Sequence, residues 1–165
     1  FELHHIIQIA FGWQNYHAYE FEHHGYVFSE PEFAMLEGNE KLIDSRSTSL
    51  ESILVDTREV LRYTYDFGDN WIHHIVVERF LKPNTKLDYP YCMSGKNASP
   101  PEDSGGIKGY YDMLRVLKNP KHADHKETQK WVGKRFSPDR FEIDAVNKSL
   151  LKLDEYIADW LGEDS

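Results

Sequence analysis

The sequence predicts an α+β fold: an antiparallel sheet built from hairpins, packed against an N-terminal helix and a C-terminal helical layer. Three observations predict it. Apolar residues recur at helical spacing from Leu3 to Ala10, two hairpin patterns rich in aromatic and β-branched residues follow, and the chain beyond Ile107 returns to helical spacing. At 165 residues and 40% hydrophobic content the chain can bury one sizeable core. No internal repeat or break in composition divides it, so one domain over residues 1–165 is expected.

Each element has its own local signal. Leu3, Ile6, Ile7 and Ala10 share one helical face, and Gly12 suits a left-handed C-terminal cap. His17, Tyr19 and Phe21 alternate with Ala18, Glu20 and Glu22; after His24-Gly25 comes Tyr26-Val27-Phe28, giving a hairpin over residues 17–29. Residues 30–48, with Pro31, Gly38 and Asn39, read as a loop, and Leu50, Ile53 and Leu54 as a short helix. Val60–Phe67 and Trp71–Leu81 flank Gly68-Asp69-Asn70, the strongest turn signal, so a second hairpin is expected over residues 60–81. A two-residue Asp69-Asn70 loop would set Asp66 across from His73 on one face; a three-residue loop would shift that pairing.

Lys82–Gly106 carries Pro83, Pro90, Pro100 and Pro101 without periodicity and reads as an extended, ordered loop. Tyr110, Met113, Leu114 and Leu117 then share a helical face that Asn119-Pro120 ends. A second helix is expected over residues 123–132, with Trp131 as its main apolar anchor. Past Ser137-Pro138, the positions Phe141, Ala145, Leu150, Leu153, Ile157 and Leu161 fall near helical spacing.

Composition narrows the function classes. The net charge of −9 is concentrated early: residues 1–56 hold ten acidic and two basic side chains. That balance disfavours the bulk surface as a nucleic-acid platform. A local exception runs from Lys118 through Lys121, Lys126, Lys130 and Lys134 to Arg135, interrupted only by Asp124 and Glu127; it reads foremost as a solvated helix face. No apolar run approaches the roughly 18 residues of a membrane span and no leader pattern opens the sequence, so a cytoplasmic location without membrane contact is expected. A single cysteine, Cys92, excludes a disulfide framework and a thiolate-rich zinc site.

The candidate site lies where polar, glycine and aromatic residues exceed what a strand needs. Asp66, Asp69, Trp71 and His73 stand in the second hairpin, Glu102 and Asp103 precede Gly105-Gly106, and His17 opens the first hairpin. Together these seven are expected to converge on one concave surface. Imidazoles and carboxylates are the ligand types of zinc, manganese or iron, although no His-x-x-x-His pair gives a diagnostic spacing. The plainer reading is structural: Asp69 satisfies turn amides, Asp66 orients His73, Trp71 packs on Phe11 or Trp13, and Glu102 and Asp103 cap the following helix. Gly105-Gly106 lacks the Lys-Ser/Thr ending of a phosphate loop.

The string Tyr63-Thr64-Tyr65-Asp66-Phe67-Gly68-Asp69-Asn70-Trp71-Ile72-His73-His74, followed by Glu78, resembles the hallmark of the plasmid Ri open-reading-frame-three-like family. Other segments follow that pattern in order. They are Ala10-Phe11-Gly12-Trp13 with His17 and Phe21; Pro90, Cys92 and Gly95; Pro100-Pro101-Glu102-Asp103 with Gly105-Gly106 and Gly109-Tyr110; and Trp131 with Phe136. The resemblance implies an α+β domain whose members usually carry two further strands before the opening helix, so the chain is expected to lack those strands. It implies no established reaction: some members are labelled insertion-element passengers or putative resolvases, and some are fused to DNA-binding domains. Many relatives carry cysteines where Ser99 and Ser104 stand here, so a cysteine-based metal or redox role is not carried over.

Without a complete catalytic motif, the leading expectation is a non-enzymatic binding or interaction domain, accessory to mobile-element or regulatory proteins. Its partner would be a protein or a fused regulatory domain, and the sequence requires no cofactor. The alternatives are a metal-dependent hydrolase using the Asp/His/Glu cluster and a DNA-associated protein using residues 118–135.

Overall fold

The computed structural model describes residues 1–33 and 41–162. Its first helix, α1 (Glu2–Phe11), ends where Gly12 takes a left-handed φ of 68° and donates its amide to the Gln8 and Ile9 carbonyls. The hairpin that follows pairs β1 (Tyr19–His23) with β2 (Tyr26–Ser29), joined by His24-Gly25. Both loop residues have positive φ, as a two-residue hairpin loop of the primed type requires.

Within residues 30–48, Leu42–Asp44 forms a short strand, β3, that runs parallel to β2. The sheet is therefore mixed, with one parallel pair added to the antiparallel frame that the sequence predicts. Three residues are too few to show a period of two, which is why β3 has no sequence signature. Gly38 and Asn39 lie outside the described residues. After α2 (Leu50–Ile53), β4 (Val60–Tyr65) and β5 (Trp71–Val76) complete the sheet in the spatial order β3-β2-β1-β4-β5.

The β4–β5 loop is five residues long, Asp66 to Asn70, because Tyr65 pairs with Trp71. His73 consequently faces Tyr63, and the pairing of Asp66 with His73 does not form. Asp66 and Asn70 both adopt a φ of 55°, and the Asn70 amide closes the loop onto the Asp66 carbonyl.

One face of the sheet is buried through Tyr19, Phe21, Leu61, Tyr63, Tyr65 and Trp71. Against it α1 presents its polar side. His4, His5 and Gln8 are fully buried, while Leu3, Ile7 and Phe11 are only partly so. The reason lies in the sheet: buried tyrosine hydroxyls need partners. His4 stacks on Tyr19 with ring centroids 3.6 Å apart, places Nδ1 2.8 Å from the Tyr63 hydroxyl, and places Nε2 2.6 Å from Asn15 Oδ1. Gln8 donates to the same Tyr63 oxygen and accepts the Asn15 amide.

The C-terminal half is helical: α3 (Gly106–Lys118), α4 (His125–Val132), α5 (Ile143–Leu150) and α6 (Leu153–Leu161). The last periodic stretch thus forms two helices, broken at Leu151-Lys152. Both pack on α1, which lies between them and the sheet, whereas α3 and α4 pack on each other. Trp131 is 50% exposed and does not anchor α4. His125, the first residue of that helix, instead ties it to α3 through Nδ1 and the Val116 carbonyl, 3.1 Å apart.

Candidate functional site

The site forms at the end of the β1–β4 pair where His17 leads into β1 and Asp66 leaves β4. Tyr19 pairs with Tyr65, so the residues just beyond them are neighbours, and the Asp66 amide bonds to the Ala18 carbonyl. A third segment, Pro100–Gly105, is pinned over this end. The Trp13 indole donates to the Pro100 carbonyl at 2.8 Å while its ring stacks on Tyr65 with centroids 4.8 Å apart.

His17 Nε2 stands 3.0 Å from Asp103 Oδ1, 3.6 Å from Asp66 Oδ2 and 3.9 Å from Glu102 Oε2. Asp66 and Glu102 are held there by the fold. Asp66 Oδ1 accepts the amides of Gly68 and Asp69, the usual task of an aspartate in a turn, and leaves Oδ2 toward His17. Glu102 Oε1 accepts the Gln14 amide at 2.8 Å and the Tyr65 hydroxyl at 2.9 Å, leaving Oε2 toward His17. Burial first, and then the charge of Glu102, push the Tyr65 phenol up, which keeps it protonated and donating.

Of the seven residues expected to converge, His17, Asp66 and Asp103 bring donor atoms within 4.8 Å of one another, and Glu102 approaches the same His17 nitrogen from beside them. Asp69 stands beside them in another role: its Oδ2 accepts the Gly105 amide at 2.9 Å. The amide at the start of α3 is therefore satisfied by Asp69, and the expected capping by Glu102 and Asp103 gives way to their contacts with Tyr65, Gln14 and His17. Trp71 packs near Trp13 in the core, with ring centroids 6.3 Å apart. His73 lies apart from the cluster, among Phe11, Trp13 and Tyr63, and burial lowers its pKa. Tyr65 and Gln14 hold Glu102 without belonging to the set expected from sequence. The inward register of Tyr65 on β4 is the signal that points to it.

The basic segment occupies the far end of α3 and α4. Lys118, Lys121, Lys126, Lys130, Lys134 and Arg135 are all exposed, and none has an ion-pair partner among the described residues.

This arrangement can be set beside known proteins. A family model described as plasmid pRiA4b ORF-3-like protein matches residues 1–145, most of the chain and both loops of the site. The chain belongs to the plasmid pRiA4b ORF-3-like family. It is similar to the uncharacterized protein y4hQ of Sinorhizobium fredii, at 37% identity over 161 residues, 96% of this chain and 79% of that protein. The fold of this ORF-3-like chain is also similar to a crystal structure of a protein of unknown function, MM3350 from Methanosarcina mazei Go1. There the TM-score is 0.74 at 34% identity, over 86% of this chain and 79% of that one. Among the described residues no helix is long and apolar enough to cross a membrane.

Proposed function

We propose that this chain is a non-enzymatic binding domain that takes a divalent cation between His17, Asp66, Glu102 and Asp103. One observation carries the reading: Asp66 and Glu102 each commit one carboxylate oxygen to the fold and turn the other toward His17 Nε2. Ligands held this way are positioned before the cation arrives. Three carboxylates and one imidazole form an oxygen-rich, negatively charged donor set, which suits manganese or another hard divalent ion. The cation would replace the proton shared by His17 Nε2 and Asp103.

Calorimetric titration of chelator-treated protein with Mn²⁺ tests this. One equivalent should bind and should be lost in His17→Ala and in Asp103→Ala. Equal binding by the wild type and both variants would overturn the proposal. Metal-dependent release of product from a phosphoester or ester would replace the non-enzymatic reading with a hydrolase.

The family resemblance supports an accessory role beside mobile-element or regulatory proteins, in the cytoplasm, with a protein partner or fused regulatory domain. Affinity purification with cell fractionation tests both parts; recovery in the membrane fraction without a partner would count against them. The unpaired cations near Trp131 favour a second reading, association with single-stranded DNA, in which cations meet phosphates and an aromatic ring stacks on a base. Salt-sensitive binding abolished by Lys126→Glu with Lys130→Glu would support it, and binding indifferent to that reversal would end it.

A further inference from the structure

At the opposite end of the same strand pair a second group of donors comes together: His23, the last residue of β1, His24 in the hairpin loop, and Glu59, just before β4. Six residue steps, most of them along β1, at about 3.3 Å each put it about 20 Å from His17. His23 is 7% exposed. Its Nδ1 lies 3.2 Å from the Val60 carbonyl, and a carbonyl only accepts, so Nδ1 carries the proton and Nε2 the lone pair. That Nε2 is buried without a hydrogen-bond partner among the described residues, and it points at Glu59 Oε1, 3.8 Å away. His24 Nε2 stands 3.6 Å from the same oxygen. Glu59 is anchored through its other oxygen, which accepts the amides of Val55 at 2.7 Å and Asp56 at 3.0 Å.

We propose that His23 Nε2, His24 Nε2 and Glu59 Oε1 form a binding site for a borderline divalent transition metal such as zinc, at the tip of the β1–β2 hairpin. A buried imidazole lone pair facing a carboxylate oxygen has no donor between them, and a cation satisfies both at once. The chemistry of the set is distinct from that at His17: two imidazoles and one carboxylate suit zinc, nickel or copper better than hard ions. Both anchored ligands carry their orienting partner, the Val60 carbonyl for His23 and the Val55 and Asp56 amides for Glu59. Tetrahedral ligands at about 2.0–2.1 Å from zinc stand about 3.4 Å from one another. The two histidine nitrogens, 3.8 and 3.6 Å from Glu59 Oε1, need approach that oxygen by only a few tenths of an ångström, and the three residues offer donor atoms within 4.8 Å of one another. His24 is 73% exposed in its side chain, and the site therefore opens to solvent, where a water completes the coordination.

The experiment uses the full chain, stripped by chelator and titrated with Co²⁺ and Zn²⁺. Four-coordinate cobalt should give strong visible d–d bands that zinc displaces. His24→Ala removes an exposed side chain and leaves the fold alone; it should abolish the bands and weaken zinc by at least about 10-fold. Glu59→Gln keeps the oxygen that accepts the two amides while removing the charge, and should weaken zinc to a similar degree. His17→Ala should leave the bands intact, which separates this site from the carboxylate-rich one. Bands that survive in His24→Ala, bands lost in His17→Ala, or no bands in the wild type would overturn the proposal.

Discussion

The Asp69 carboxylate accepts the Gly105 amide at 2.9 Å, and this bond joins the β4–β5 loop to the start of α3. The two loops also meet through the backbone: a Cβ on Gly106 would come within 2.5 Å of the Asp69 carbonyl oxygen, and Gly106 has a φ of 64°. Replacing Asp69 by Ala should cost about 1–2 kcal/mol in chemical denaturation, the loss of a charge-assisted bond at a helix start. Gly106→Ala should cost more, because left-handed strain of about 1–3 kcal/mol adds to the clash. A Gly106→Ala protein as stable as the wild type would show that the loops are not docked this way.

Stability should fall as acid is added, through buried histidines. Burial lowers the pKa of His4 well below its usual value, that of His5 to about 4, and that of His73. The unfolded chain therefore binds protons first: the contribution is complete above the ordinary value of 6.5 and is lost as pH falls toward 4. Glu30, whose carboxyl is raised by burial, works in the opposite direction. Comparing denaturation between pH 7 and pH 4 for wild type and His5→Leu isolates the histidine part. The variant should show the shallower decline; parallel curves would rule out His5 as a contributor.

Tyr65→Phe separates positioning from packing at the candidate site. The ring still stacks on Trp13, but Glu102 loses the hydroxyl donor that holds its Oε1. Stability should drop by about 1 kcal/mol, and Mn²⁺ affinity should fall by about 10-fold, as for other partners that orient ligands. Unchanged affinity in a folded Tyr65→Phe protein would mean that Glu102 is not a ligand.

Two tryptophans should differ sharply. Trp13 is buried, stacks on Tyr65 and donates to Pro100, so Trp13→Ala should cost about 3–5 kcal/mol. Trp131, half exposed on α4, should tolerate Ala within about 0.5–1 kcal/mol. Thermal melts of the two variants check this, and comparable losses would return Trp131 to the role of anchor.

The sequence by itself determined the elements whose signals are local. Gly12 stops α1, His24-Gly25 turns the first hairpin, Asn119 follows the end of α3, and the β-prone run Val60–Phe67 ahead of the Gly68-Asp69-Asn70 turn marks β4. It also marked the two acidic loops, where Asp66 and Asp69 crowd one turn and Glu102 and Asp103 stand together before Gly105-Gly106. Tertiary structure decided the rest. The five-residue loop placed His73 against Tyr63 rather than Asp66, because register depends on how the closed loop fits between strands. The tyrosine-lined sheet decided that α1 turns His4, His5 and Gln8 inward, since hydroxyls buried on another element set which helix face can pack. The meeting of His17 with Asp103 across 86 residues depended on the Trp13–Pro100 bond that pins the second loop, and no spacing along a chain encodes a contact of that kind.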